Sequence, residues 1–348
     1  MISHLNCNIE HLSVHRIGNK TNEEDLLLSD APLEITDGDF KNLLVKFFLQ
    51  SFSNPELFSF TFSNGDITLN PMFKFAEAVF ENPKKFHTNS KYIAKQLYEL
   101  STHPQIKSGD LFVVYFTDIL VDNIAVDGLG VFKSENKQSF LKVKGDNNEF
   151  ALEYEDGINS EKLDKACLIL NTDKEDGYKI CISDRSGKGS DAQYWKDNFL
   201  LLTPCRDEYH HTKQFMNITK NFVTKQLTED FDVSRTDQIE LLNRSVEYFK
   251  KKETFDKKEF EEEVFQDKAV IKSFRNFDND YRSENDLETI DSFEISEQAV
   301  KKQAKIFKSV LKLDKNFHIY IHGDNRMIEQ GVDDDGRKFY KIYYKEEQ

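Results

Sequence analysis

The chain has 348 residues, 38% hydrophobic and 31% charged, and its 47 Lys and Arg stand against 62 Asp and Glu for a net charge of −15. A mean hydropathy of −0.63 and the lack of any apolar run near the ~18 residues that a spanning helix needs exclude a membrane protein. The acidic balance argues against a surface coated everywhere with phosphate-binding charge, while leaving room for a local basic face.

At about 150 residues per domain the length predicts two domains. Residues 1–205 read as mixed α and β. Thr36 is placed to cap a helix whose apolar face is Phe40, Leu43, Leu44, Phe47, Phe48 and Phe52. Pro71–Glu81 follows as a helix with Pro in its first turn, then Ser90–Ser101 with Ile93, Leu97 and Leu100 on one side. After Gly109 come six short β-branched or aromatic runs: 111–116, 124–132, 139–143, 150–154, 167–170 and 178–182. Asn, Asp and Gly separate them, which predicts a largely antiparallel sheet. A short amphipathic segment, Gln193–Leu200, closes this part.

From Glu208 the period is helical, with Phe215, Ile218, Phe222, Val223 and Leu227 as one stripe. Helices are also expected over Gln238–Lys251, Phe255–Phe265 and Ala269–Phe277, and Ser283–Ser292 reads as an exposed acidic loop. The C-terminal 50 or so residues return to β. Phe317–His322 and Arg337–Tyr344 alternate, with a turn-rich connection, Gly323–Gly336, between them. The expected class is therefore α+β: a mixed helical and antiparallel-sheet domain over 1–205, then 206–348 with long helices and a C-terminal β-hairpin. Residues from 206 onward carry 26 basic and 31 acidic side chains, net −5, which leaves −10 for 1–205.

Met1–Glu10 lacks the basic start and apolar stretch of a secretory signal, so a cytoplasmic protein is expected. Cys7, Cys167, Cys181 and Cys205 form no C-x-x-C pair. Cys167 and Cys181 could meet across a hairpin turning near Lys174, but free buried thiols suit a reducing compartment better.

The most enzyme-like letters are Ser186-Gly187-Lys188-Gly189-Ser190. A phosphate-cradling loop needs Gly where Ile182 stands and Ser or Thr where Gly189 stands, so the stretch reads as a flexible turn. His318, Tyr320 and His322 share one strand face, and with Asp324 and Asp333 they could supply metal ligands, although no catalytic-metal spacing is completed. Asp278-Asn279-Asp280 begins like a calcium loop but lacks its Gly and has Arg282 at a ligand position. The adjacent His210 and His211 diverge by about 100° on a helix and cannot chelate together. No motif supports an enzyme, and no cofactor is expected. Positive charge gathers at Arg185, Lys188 and Lys196, at Lys213, Lys220 and Lys225 along the long helix, and at Lys250, Lys251 and Lys252. Lysines of this kind engage phosphates without reading bases, against the plainer alternative of a solvated helix surface.

Four stretches carry a resemblance: "HRIGNK" (15–20), "YKICISDRSGKGSDAQYWKDNFLLLTP" (178–204), "YHHTKQFMNITKNFV" (209–223) and "IHGDNRMIEQGVDDDGRKFYKIYY" (321–344). In this order they resemble the bacterial nucleoid-associated protein family of the NdpA/YejK type. The resemblance implies a non-enzymatic cytoplasmic protein found with the bacterial chromosome, binding DNA or proteins that work on DNA. It makes "DRSGKGSDAQYWKDNF" the link from sheet to long helix. Three functions are thus on the table. One is a homodimer that grips DNA with little sequence preference through the nine basic residues. Another is an adaptor for chromosome-maintenance proteins, using Phe339, Tyr340, Tyr343 and Tyr344. The third is a metal-dependent nuclease or phosphatase built on His322, Asp324 and Asp333.

Overall fold

The computed structural model describes residues 2–3, 7–52, 55–121, 124–146, 149–185, 194–285, 287–305, 307, 310–313, 317–320, 327–344 and 346. The fold is α+β, in two compact units, Met1–Cys205 and Arg206–Gln348. No described helix is long and apolar enough to cross a membrane.

The first unit is built on an eight-stranded antiparallel sheet. Its order is Ile2–Ser3, Gly109–Val121, Ile124–Ser134, Lys165–Leu170, Lys179–Asp184, Leu57–Phe60 and Leu202–Pro204, with Asn8–Ile17 also paired to Gly109–Val121. Successive side chains on a strand point to opposite faces, and here both faces are covered. Leu111, Val113, Tyr115, Leu129, Val131, Cys167 and Ile169 pack under the helices Pro71–Glu81 and Phe86–Leu100. Val114, Phe116, Phe132, Leu168, Leu170 and Cys181 pack with Phe47, Phe48 and Phe52 on the other side. Burial on both faces explains why 111–116 is a continuous apolar run where a half-solvated strand would alternate. Cys167 and Cys181 therefore lie in different cores, in registers one residue apart (Cys167 opposite Ile182, Leu168 opposite Cys181), and all four cysteines are free thiols. Burial, reinforced by Asp118, pushes the Cys7 thiol up to about 12.

Local chemistry sets the helix ends. Asn70 accepts from the amides of Met72 and Phe73, and Pro71 fills the first helical position, where its missing N–H is harmless. The cap of Gly38–Leu49 is Asp37, which accepts from the Phe40 amide, and not Thr36. The face proposed for that helix is only half used. Phe47, Phe48 and Phe52 are buried, whereas Phe40 and Leu43 remain exposed because the sheet reaches only the helix's last turns. The third helix begins one turn earlier than its expected start, at Phe86, whose ring is buried.

Two strands of this unit leave the main sheet. Lys137–Asp146 and Glu149–Ile158 pair in ten-residue register as a two-stranded hairpin, and no other described strand pairs with it.

The second unit is a phenylalanine-rich helical core. One long helical stretch runs through Glu208–Asn221, a π-helical turn Phe222–Gln226, and Leu227–Asp230. Phe215, Ile218, Phe222, Val223 and Leu227 are all buried along it. Arg235–Lys251 begins at a capping box, Ser234 with Asp237. Phe255, expected to be helical, instead lies in a three-residue strand, Thr254–Asp256, where it stacks on Phe293 at 4.6 Å. Helical turns then cover Lys257–Phe260 and Glu261–Phe265, and Lys268–Glu284 is a full helix. The acidic stretch expected as a loop contributes its first two residues to that helix and its last to the strand Ser292–Glu294.

The C-terminal β region differs from its expected pairing. Phe317–Tyr320 pairs with Val310–Leu313, and Lys338–Ile342 pairs with Ile328–Val332, which lies inside the stretch read as connection. Gly331 explains that misreading: the Phe339 ring lies over it, where an added Cβ would sit 2.4 Å from Cζ. The strand thus looks turn-like because its partner's aromatic needs the space.

Candidate nucleic-acid interface

The nine basic residues divide between the units. In Met1–Cys205, Arg185 is exposed, and its amide donates to the Asp164 carbonyl at 2.8 Å. Lys188 lies outside the described residues. Lys196, on the π-helical segment Tyr194–Leu200, is half-buried, 5.2 Å from the centre of the Phe58 ring and 3.7 Å from Asp197.

Lys250, Lys251 and Lys252 stand at the C-terminal end of Arg235–Lys251. A helix C-terminus carries partial negative charge, which gives lysines there a local structural reason. Lys250 holds Glu247 at 2.9 Å, and Lys252 holds Glu259 at 2.6 Å and Glu263 at 3.0 Å. Those two hydrogen bonds keep the Lys252 ammonium above its ordinary pKa. The three lysines and Lys301 line a depression of about 650 Å³. Glu253, Glu294 and Glu297 line it too, so its charge is mixed.

The long helix is different. Lys213, Gln214, Asn217, Lys220, Asn221, Thr224 and Lys225 form the side opposite the buried stripe, with Lys225 exposed and the other six half-buried. At 100° per residue the first six fall within one arc. Lys225 would stray toward its edge, but the wider π-helical turn Phe222–Gln226 advances less per residue and draws it back toward the arc. Lys220 and Lys225 have no ion-pair partner among the described residues. A sequence signal for this face exists but is easily overlooked. Residues 209–228 contain no Asp or Glu at all, in a chain of net charge −15. Counting lysines alone does not show it, because what sets this helix apart is the missing carboxylates.

The other candidates are less coherent. Of the metal set, His322 and Asp324 and the side chains of His318 and Tyr320 lie outside the described residues. Asp333 is occupied in its own turn, accepting from the Arg337 amide at 2.7 Å and from the Arg337 Nε at 2.8 Å. Among the described residues no group of three or more His, Cys, Asp or Glu could hold a metal ion. His210 and His211 have ring planes 75° apart. Asp278 sits in mid-helix, buried between Arg282 and Lys257, each at 2.6 Å. Of the four C-terminal aromatics, Tyr340 packs toward Ile239, while Phe339, Tyr343 and Tyr344 are exposed.

A family model described as nucleoid-associated protein YejK matches residues 13–338. The chain belongs to that family. The match runs through both units and includes the whole acid-free stretch 209–228 of the long helix. No curated protein matches the chain.

One cluster in this nucleoid-associated chain escaped the sequence entirely. Lys133 and Lys165 face each other on neighbouring strands of the first unit, and both side chains are fully buried. Lys133 donates to Glu135 at 2.9 Å and to the Lys107 carbonyl at 2.5 Å. Lys165 donates to Asp184 at 3.0 Å and lies 5.0 Å from the centre of the Tyr194 ring. Since lysines are almost never fully buried unless paired, no sequence pattern distinguishes these two from surface ones.

Proposed function

We propose that this protein binds duplex DNA through phosphate contacts, with little sequence preference, and that it catalyses no reaction. The observation that carries this reading is the helix face 213–225, where three lysines sit among Gln, Asn and Thr with no carboxylate in residues 209–228. Every side chain on that face can donate a hydrogen bond, and phosphate oxygens accept them. At 1.5 Å per residue Lys213, Lys220 and Lys225 are about 10 Å and 7 Å apart along the axis, a spacing that suits successive contacts along one strand. Lys250, Lys251 and Lys252 join as auxiliary contacts, because exposed ion pairs are worth only about 0–1 kcal/mol and exchange readily for phosphate. Membership of a nucleoid-associated family supports the same reading.

The test is a duplex titration at several salt concentrations. Each phosphate contact contributes about −0.9 to the slope of log K against log salt. Lys213→Gln/Lys220→Gln/Lys225→Gln is expected to reduce that slope by about 3 and to weaken binding at least roughly tenfold on all sequences alike. Unchanged affinity in the triple variant, or no binding by the parent protein at low salt, overturns direct contact.

A second reading has its own observation. Tyr344 is 70% exposed, and Phe339 and Tyr343 in the same C-terminal segment are exposed as well. Aromatics of this kind anchor protein interfaces, so an adaptor for DNA-maintenance proteins would use this edge. Capture of such proteins after nuclease treatment, lost on Tyr344→Ala/Phe339→Ala, supports it.

A further inference from the structure

We propose that the hairpin formed by Lys137–Asp146 and Glu149–Ile158 is a dimerisation arm, its occupant a second copy of this chain. Residues directly opposite in an antiparallel ladder share a face. The pairs Leu141–Tyr154 and Val143–Leu152, with Phe150 opposite Gly145, therefore make one face apolar over 141–145 and 150–154, while Lys137 and Ser139, the latter bonded to Asp156 at 2.6 Å, lie on the same face beyond that stretch. The other side carries Lys142, Lys144, Glu153 and Glu155, with Lys142 bonded to Glu155 at 3.1 Å and Lys144 to Glu153 at 2.6 Å. The arm is amphipathic with period two, as if one side met a core, yet Leu141, Val143, Phe150, Leu152 and Tyr154 are all between 67% and 79% exposed in the single chain.

That arrangement is unstable by itself. A lone two-stranded hairpin is marginal in water, and it needs further strands or a packed surface against its apolar face. Burying those five side chains would remove roughly 700 Å² from water per copy, and a symmetric pair of arms would bury about 1,400 Å², within the range of a standard stable interface. The face is also self-complementary. A two-fold axis near the Val143–Leu152 pair sets the apolar side of one arm on that of its twin as a two-layer sandwich, sheets about 10 Å apart. Lys142, Lys144, Glu153 and Glu155 point outward, already paired, and Asp156, at the end of the apolar stretch, is exposed and accepts from Ser139 Oγ. This inference concerns assembly and stands apart from the DNA reading.

The experiment is mass determination by light scattering on the full chain at micromolar concentration. The parent protein is expected at twice the 40.7 kDa chain mass. Val143→Asp/Leu152→Asp is expected at the single-chain mass, its dimer weakened more than about 100-fold, as hot-spot loss at an interface centre predicts. Lys144→Ala, on the opposite side, should leave the dimer intact. Amide exchange supplies a second readout: strands 139–145 and 150–156 should be protected in the parent and lose protection in the monomeric variant. A monomeric parent, or a face variant that remains dimeric with its arm still protected, overturns the proposal, whatever else the arm binds. The Lys213/Lys220/Lys225 variant should keep the parent mass, so failure of one proposal is distinguishable from failure of the other.

Discussion

His15 shows how much of this molecule is settled residue by residue. It is buried beside Ser13, Ser29, His87 and Ser90. The Ser29 amide donates to His15 Nδ1 at 3.2 Å, so the neutral ring carries its proton on Nε2 and offers it to Ser90 Oγ at 3.0 Å. A second proton would break the Ser29 bond and charge a buried ring, and the pKa is lowered to about 4, by burial first and then by His87 and Lys91. The unfolded chain therefore takes up the proton first, near 6.5, and the folded one only near 4. Stability is complete above about pH 6.5, falls as pH drops toward 4, and is flat below, for a loss on the order of 3 kcal/mol. Urea midpoints at pH 7 and pH 5 should show this slope, and His15→Asn should flatten it. The buried Lys165–Asp184 pair gives a second expectation. Lys165→Ala leaves a carboxylate without its ammonium and should cost about 3–5 kcal/mol, whereas Lys165→Met/Asp184→Asn should cost far less. Urea unfolding of both variants measures the difference. Neither site was legible beforehand, because burial of a His or Lys is a property of its neighbours and not of its own type.

At the scale of elements the sequence was a better guide wherever one periodicity ran unbroken. The stripe Phe215, Ile218, Phe222, Val223 and Leu227 forms the buried face of the long helix, and all six expected β runs lie within observed strands or overlap them closely. Phe222, fully buried against Phe265, Phe274 and Phe277, should cost about 3–5 kcal/mol on replacement by Ala, read by denaturant titration. Short elements were the ones misread. Thr254–Asp256 and Ile328–Val332 are too brief for a period to register, and each exists because a partner strand brings an aromatic ring against it, Phe293 or Phe339. The arm Lys137–Asp146 and Glu149–Ile158 was legible as two strands but not as a pair separate from the main sheet, since the same alternation would suit a strand inside that sheet.

For the whole molecule, the net charge and the proposed DNA contact pull in opposite directions. A net charge of −15 repels DNA at a distance, while the acid-free helix face is the part proposed to attract it at contact. Screening lengths of about 30 Å at 0.01 M salt and 10 Å at 0.1 M decide which is felt first. We expect association with duplex DNA to be no faster at about 0.01 M than at about 0.1 M salt, the reverse of a steered basic protein, while dissociation accelerates steadily with salt. Stopped-flow mixing at the two concentrations checks this, and a steep rise in association rate at low salt would contradict it. By itself the sequence determined the α+β class, the periodic helices and strands, and the kinship, because these rest on patterns local to the chain. Only the tertiary structure decided which lysines are buried, which are held by carboxylates and which, like Lys220 and Lys225, have no ion-pair partner among the described residues. Those distinctions depend on what folding brings within a few ångströms, and a linear charge count averages them away.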